Sequence, residues 1–398
     1  MNNAAPTRTP RRPPMVVLDA RWIFPEISGI GAYTIALLRA WSAQTAGPIR
    51  LRAIFDRAEV MRRTLETCQL AGHPWIETEL VPYSPFSWRS QIQLPRLLRA
   101  WDTALFHAPN YLIPLLGRTP IVATIHDLIP LKFPHFTPKA RKTRILPLYR
   151  GLMRQVARRC SAILTDSETS AEDIRSMLLP QRSQASVHPI HCGVDRRFLE
   201  APAPTPPASP PYRLLYVGRS DPYKNIIGLV RTLEILRRDF ALDVHLTLVS
   251  RPDPRYPEAG TLMEHLGLTP YVTWTGPLSD HALLDAYRSH HCLLHLSRYE
   301  GFGLPVLEAM ACGLPVVSSH AGSLAEVIGD AAPTVAPDDI EEAAHKVHAI
   351  LTQPELAARQ AQEGRKRAEL FRWEKTAAAT LAVYRELIDA NQDRIARN

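Results

Sequence analysis

The chain of 398 residues carries 47 Lys and Arg against 39 Asp and Glu, a net charge of +8, with 45% hydrophobic, 22% charged and 7% aromatic side chains. That length suits two domains with two cores, and the charged fraction excludes a disordered, collagen-like or coiled-coil chain. No uncharged apolar run approaches the roughly 18–20 residues of a membrane span, and the start MNNAAPTRTPRRPPM lacks the apolar stretch of a signal peptide, so a cytoplasmic protein is expected.

In chain order, residues 1–13 read as a disordered Pro- and Arg-rich extension. Residues 14–200 carry short apolar runs, each followed by a turn and a helix-period stretch: MVVLDA (15–20), LRAIF (51–55), TALFHA (103–108), IVATIHD (121–127) and SAILTD (161–166). The tract APAPTPPASPP (201–211) admits neither a helix nor a central strand and reads as a stiff extended linker. Residues 212–372 repeat the first pattern with YRLLYVG (212–218), VHLTLVS (244–250), YVTWTG (271–276), CLLHLS (292–297) and PVVSS (315–319). Near-continuous apolar runs alternating with helices predict parallel strands buried on both faces, so each half is a doubly wound α/β domain. Residues 373–398 form a helix by propensity with no strand after it, a candidate to pack back on the first domain. In such sheets ligands sit beyond the carboxyl ends of the strands, and with two domains the expected site is the cleft between them.

The polar residues at those ends come next. In ISGIGAYT (27–34), Gly29 and Gly31 allow close backbone approach to a phosphate, but the third glycine of a dinucleotide fingerprint is missing and an NAD enzyme is disfavoured. His107 in FHAPN and His126 in TIHD close two strands and are candidates for a polar cleft floor, the alternative being core histidines with satisfied nitrogens. In YRLLYVGRSDPYKNIIGLV (212–230), Arg219 and Lys224 precede a helix for which Asn225 is the N-cap. Two cations over a helix N-terminus suit a diphosphate, unless they are solvated and paired with Asp221.

The most specific stretch is SRYEGFGLPVLEAMACGLPVV (297–317). Gly301 and Gly303 lead into a helix with Pro305 in its first turn and Gly313 beyond its end, an arrangement that presents free amides and the positive end of the helix dipole to an anion. Glu308 is the single charge on this apolar helix and needs donors, from a sugar or from a buried backbone turn. Glu300 precedes the helix and faces the cleft; on residue types alone the two carboxylates also fit a glycosidase pair.

The basic surplus is local. Between Leu128 and Thr165 there is no acidic residue and there are nine cations: Lys132, Lys139, Arg141, Lys142, Arg144, Arg150, Arg154, Arg158 and Arg159. Arg150, Arg154 and Arg158 share one helix face, so residues 132–159 are a candidate contact for an anionic inner leaflet, against the plainer reading of a solvated face. Sparse aromatic interleaving argues against nucleic acid. Five scattered cysteines with no C-x-x-C spacing suggest neither disulfides nor zinc.

These stretches resemble the retaining glycosyltransferases of family 4, whose architecture is GT-B: two Rossmann-like doubly wound parallel-sheet domains facing a cleft. The Glu300-x7-Glu308 spacing inside EGFGLPVLEAMACGLPVV is the family's most specific signature, VGRSDPYKN resembles its diphosphate loop, and SGIGAYT, HDLIP and TDSE look most like bacterial mannosyltransferase-like members that build surface polysaccharides. The resemblance implies transfer of a hexose, mannose from GDP-mannose first, from a GDP- or UDP-sugar to a saccharide or lipid-linked saccharide acceptor, without a metal or other cofactor. It implies that Glu308 holds the ribose hydroxyls, that Glu300 faces the transferred sugar, and that Arg219, Lys224 and the amides of Gly301, Phe302, Gly303 and Leu304 bind the diphosphate. Gly29 and Gly31 would approach the phosphates from the opposite domain, His126 would touch the donor sugar near the reacting centre, and Ser167 would lie near the cleft. Where relatives commonly read Asn-Gly-Val-Asp this chain has His191-Cys192-Gly193-Val194-Asp195, so the usual Asn has no counterpart. A sugar-nucleotide epimerase and a non-catalytic nucleotide-sugar-binding protein are the alternatives on the same architecture.

Overall fold

A computed structural model describes residues 12–26, 28–136, 138–139, 141–179, 185–207 and 209–397, with the side chains of Arg141, Lys142 and residues 395–397 excepted. The expected extension at 1–13 therefore lies almost wholly outside the described residues. Seven strands form the first sheet: β1 (Met15–Asp19), β2 (Arg50–Phe55), β3 (Ile76–Leu80), β4 (Thr103–Ala108), β5 (Ile121–Thr124), β6 (Ala162–Thr165) and β7 (Ser186–Pro189). Six form the second: β8 (Tyr212–Val217), β9 (Val244–Val249), β10 (Val272–Trp274), β11 (Cys292–His295), β12 (Val316–Ser319) and β13 (Thr334–Val335). The orders are β3-β2-β1-β4-β5-β6-β7 and β10-β9-β8-β11-β12-β13, and the pairings within both sheets are parallel. In each sheet the order reverses beside the first strand, between β1 and β4 and between β8 and β11, and such reversals open the crevice where ligands bind.

Central strands are buried throughout: β1, β5, β6, β11 and β12 expose no residue to solvent appreciably. Both faces of each sheet are covered by helices, which is why these strands read as unbroken apolar runs. One core lies under the outer helices of the first domain and another under those of the second. A third cluster is continuous across both domains, from Val16 and Trp41 through Phe302 and Val306 to Ala377 and Tyr384.

That continuity depends on the helix Trp373–Arg397, which crosses from the second domain to the first. Trp41 Nε1 donates to the Ala377 carbonyl at 3.1 Å, and the Tyr384 hydroxyl lies 2.5 Å from His107 Nδ1. The chain enters this helix beside Gly193, where a Cβ would collide with the Trp373 backbone nitrogen; only glycine fits there. The Pro-rich tract has no helix or strand at 201–207 and 209–211 and lies on the second domain, with the Thr205 N–H donating to the Arg288 carbonyl at 2.8 Å. Among the described residues, no helix is long and apolar enough to cross a membrane.

Candidate active site

The helix Leu304–Cys312 starts as its sequence dictates. Gly303 takes φ +102°, a left-handed conformation open to glycine, and a Cβ there would fall 2.6 Å from Leu324 Cδ2. No side chain caps this helix start, so its first amides remain available to an anion. Glu300, at the head of the same loop, is fixed by its backbone: the Ser323 hydroxyl and N–H both donate to its carbonyl, at 3.0 and 3.2 Å. Gly322 allows this close approach, since a Cβ on it would lie 2.5 Å from that carbonyl oxygen.

The Glu300 carboxylate meets Lys224 Nζ at 2.6 Å and His295 Nε2 at 3.0 Å, with side chains only 8% and 12% exposed for Glu300 and Lys224. His295 stacks on Tyr216, ring centroids 5.7 Å apart, and the Ser297 hydroxyl lies 3.1 Å from its Nε2. Burial alone would raise the Glu300 pKa; the Lys224 charge and the His295 and Lys224 hydrogen bonds outweigh it and hold the group at about 2. Lys224 loses by burial and gains more from Glu300, ending well above the usual lysine range. An ammonium has three N–H donors and Glu300 takes one, so this charge is oriented without being exhausted. Arg219, in contrast, is 74% exposed and pairs with Asp221 at 2.8 Å, as the solvated alternative had it. Asn225 caps the helix Ile226–Arg238, accepting from the Gly228 N–H at 3.2 Å.

Glu308 sits elsewhere on the helix. Its Oε2 accepts from the Tyr287 hydroxyl at 2.8 Å, and burial raises its pKa to about 7 although Tyr287 and Arg197 favour the ionised form. A side-chain hydroxyl, rather than a backbone turn, therefore supplies its donor.

From the first domain, His126 lies just beyond β5 and reaches the cleft. Its Nδ1 is 2.7 Å from Asp166 and its Nε2 3.3 Å from the Pro109 carbonyl, with Tyr33 edge-on at 5.0 Å. Burial lowers its pKa, but Asp166 more than compensates and the net shift is upward. The two domains meet here: a Cβ on Gly301 would stand 2.8 Å from the His126 carbonyl oxygen, and the Ser170 hydroxyl lies 3.1 Å from that oxygen and 3.4 Å from the Gly301 carbonyl. Tyr33 belongs to the helix Gly29–Ser42, whose start is thereby placed near the same point. The Gly31 amide is already used, donating to the Ser28 hydroxyl at 3.3 Å, while a Cβ on Gly29 would meet nothing within 4 Å. Phe302 is buried against His191 and Phe371, ring centroids 5.9 and 6.0 Å away, and Leu304 opens the helix.

Two expected cleft residues are corrected. His107 points into the core, fully buried between Tyr384 and Thr124 Oγ1 at 2.8 Å, and burial lowers its pKa to about 3, so it is a neutral structural group. Ser167 is equally buried and caps the helix Glu168–Leu178 by accepting from the Ser170 N–H at 3.1 Å.

His295, Asp166, Tyr287 and Glu326 join the site without being among the residues expected there from the sequence. A histidine inside the apolar run CLLHLS was the signal for His295. Glu326, from the second domain, accepts from the Glu168 and Thr169 amides of the first at 2.9 and 2.8 Å, and lies 3.3 Å from His191 Nε2. Burial raises its pKa, but the hydrogen bonds from His191 and Thr169 prevail and hold it at about 2. His191 thus joins an interdomain contact. Of the cations at 132–159, Lys132 is engaged by Asp173 at 2.5 Å, Lys139 by the Arg255 carbonyl, and Arg159 by the Gly117 and Thr119 carbonyls at 3.1 and 2.9 Å. Among the described residues, no cluster of His, Cys, Asp or Glu has the form of a metal site.

Comparison with known proteins extends over this whole framework. Residues 27–198 match the model of Glycosyltransferase Family 4, and residues 199–367 that of Glycosyl transferases group 1. An MMP alpha-(1->4)-mannosyltransferase of Mycolicibacterium hassiacum is 34% identical over 280 residues, 68% of this chain and 66% of that protein. The O-antigen chain mannosyltransferase B of Escherichia coli is 28% identical over 297 residues, 73% of this chain and 76% of that protein. Among solved structures, sucrose-phosphate synthase from Thermosynechococcus elongatus superposes with a TM-score of 0.73 at 21% identity, covering 95% of this chain and all (100%) of the other. Anabaena HepE in complex with UDP and glucose superposes with a TM-score of 0.68 at 19% identity, covering 93% of this chain and 100% of the other. With both halves matched in order and both sheets in the GT-B arrangement, the chain belongs to the family 4 and group 1 glycosyltransferases.

Proposed function

We propose that this glycosyltransferase moves a hexose from a nucleoside diphosphate sugar to a saccharide acceptor with retention of configuration, and that the sugar is mannose carried on GDP. The observation that carries the reading is the buried Lys224–Glu300–His295 cluster beside the uncapped start of the helix Leu304–Cys312. A fixed ammonium and a row of free amides stabilise a departing diphosphate, and preorganised charge of this kind is the largest single contribution in many enzymes. The mannosyltransferase relatives support the choice of sugar.

In the reaction the bond from the anomeric carbon to the diphosphate oxygen breaks, and the acceptor oxygen bonds to that carbon on the same face. The acceptor's proton passes to the departing phosphate oxygen, so no protein base is required. Lys224 and the amides at Gly301, Phe302 and Gly303 take up the developing negative charge, and Arg219 can swing from Asp221 to join them. Glu308 accepts the ribose hydroxyls. His126, its Nδ1 held by Asp166, which favours its charge, turns its Nε2–H from the Pro109 carbonyl, 3.3 Å away, to donate to a hydroxyl of the transferred sugar.

The test is a panel of GDP- and UDP-sugars scored by thermal protection and by release of the nucleoside diphosphate. GDP-mannose should stabilise most and release GDP when acceptor is added, with an α-anomer by NMR. A UDP-sugar that stabilises more would reassign the donor; an epimerised sugar formed without acceptor, or no stabilisation by any donor, would overturn the reading.

A further inference from the structure

We infer that the outer face of the first domain docks on an anionic lipid bilayer, through apolar side chains inserted between arginines. Of the ten large hydrophobic side chains most exposed among the described residues, seven lie between positions 86 and 148. Trp88 is 67% exposed, with Phe86 and Ile92 beside it in sequence; Leu115 and Leu116 follow, then Ile145 and Leu148, the last 71% exposed.

These residues come from three segments that the structure stitches together. The loop between β4 and β5 is tied to the helix Arg89–Ala100 by Gln91, whose Nε2 donates to the Ile113 carbonyl at 2.9 Å and whose Oε1 accepts from the Leu115 N–H at 2.8 Å. The same loop runs along the helix Leu146–Arg159. Tyr111 packs edge-on against Tyr149 at 5.6 Å near one end, and Arg159 binds the Gly117 and Thr119 carbonyls at the other. Leu115 and Leu116 therefore stand between two helices whose outer sides are cationic. On the first, Arg89, Arg96 and Arg99 recur with Ile92 on one exposed stripe; on the second, Arg150, Arg154 and Arg158 do the same.

Charge complementarity selects the occupant. Residues 81–165 contain thirteen Lys and Arg and two acidic residues, Asp102 and Asp127. Lys132, Lys139 and Arg159 are occupied within the protein, as described above, and six of the remaining ten, Arg89, Arg96, Arg99, Arg150, Arg154 and Arg158, lie on the two helices that flank the exposed apolar tips. Aromatic and aliphatic side chains interleaved with arginine on an exposed surface match a bilayer interface, where the tips enter the acyl boundary and each cation meets the anionic surface. An acceptor held in that bilayer would be presented to the cleft from the first domain. In that respect the inference rests on the transferase reading; the vesicle measurement below does not.

The full chain is sedimented with phosphatidylcholine vesicles, with and without phosphatidylglycerol, at low and high salt. Binding is expected only with phosphatidylglycerol and should weaken with salt. The triple variant R150A/R154A/R158A should bind about a hundredfold more weakly, and Leu116→Glu should bind more weakly still at high salt. Brominated acyl chains should quench the wild type, and less so Trp88→Phe, which retains binding. Hydrolysis of the donor in solution should be the same in these variants as in the wild type, so a failed donor assay and a failed vesicle assay are separate results. No binding to anionic vesicles, or equal binding by the triple variant, would overturn the inference. So would a dimer by light scattering that Leu116→Glu dissociates without any vesicle binding, which would assign the face to a second copy.

Discussion

Glu300 and Glu308 stand eight residues apart around one helix start, and their surroundings drive them in opposite directions. Glu300 lies between an ammonium and an imidazole, and is held at about 2; Glu308 lies on an apolar helix with one tyrosine hydroxyl, and is raised to about 7. Burial acts on both in the same sense, so the difference is made by the partner. A carboxylate that must stay charged is given a buried cation; one that is to receive ligand hydroxyls is left with a single donor.

The largest effect expected from this contrast is at Lys224. Lys224→Met leaves Glu300 buried with one partner, and breaking a buried pair costs about 3–5 kcal/mol, so the melting temperature should fall sharply and transfer should be lost. Adding Glu300→Gln should restore most of the melting temperature and none of the activity; equal stability of the single and double variants would break the comparison. Glu308→Gln should act the other way, lowering transfer by about ten- to a hundredfold, the range expected when a charged acceptor is lost, with unchanged or higher stability at neutral pH.

The pH dependence sharpens the same point. For Glu308 the folded value exceeds the ordinary carboxylate value, so the stability it contributes is complete below the ordinary range and declines as pH rises through about 7. For Glu300 the folded value is depressed, so its contribution is complete above the ordinary range and declines as pH falls toward about 2. Donor affinity in the wild type should rise through pH 7 as Glu308 ionises, and calorimetry should find that rise absent in Glu308→Gln. The smallest effect is at Tyr287. Tyr287→Phe should cost about 1 kcal/mol and move the inflection in donor affinity upward, because the hydroxyl that favours the ionised form is gone; an inflection that stays in place would remove Tyr287 from the account.

All ten apolar runs in the sequence correspond to strands, because burial on both faces imposes the composition from which they were read. The three strands that were passed over lie at or next to sheet edges, where that demand lapses. β3 reads IETEL and uses Glu77 to pair with Arg52 at 2.9 Å; β7 reads SVHP and is only half-buried; β13 has 2 residues. At the site, glycine and proline made the loop at 300–313 legible, since each serves a local backbone conformation. The two histidines show the limit of that approach. His107 is inside β4 and His126 is two residues beyond β5, and this difference in depth sends one to the core and the other to the cleft. Partners far apart in the chain, Lys224 with Glu300 or His126 with Asp166, leave no mark in spacing and emerge only from the fold.

The crossing of the helix Trp373–Arg397 sets an order of events during synthesis. Tyr384 and its partner His107 are separated by 277 positions, and at the usual pace of translation that interval lasts on the order of tens of seconds. Through that time the first domain emerges with Trp41 uncovered and a core histidine lacking its hydroxyl, so its final packing comes after that of the second domain. The half of the protein made first is completed last.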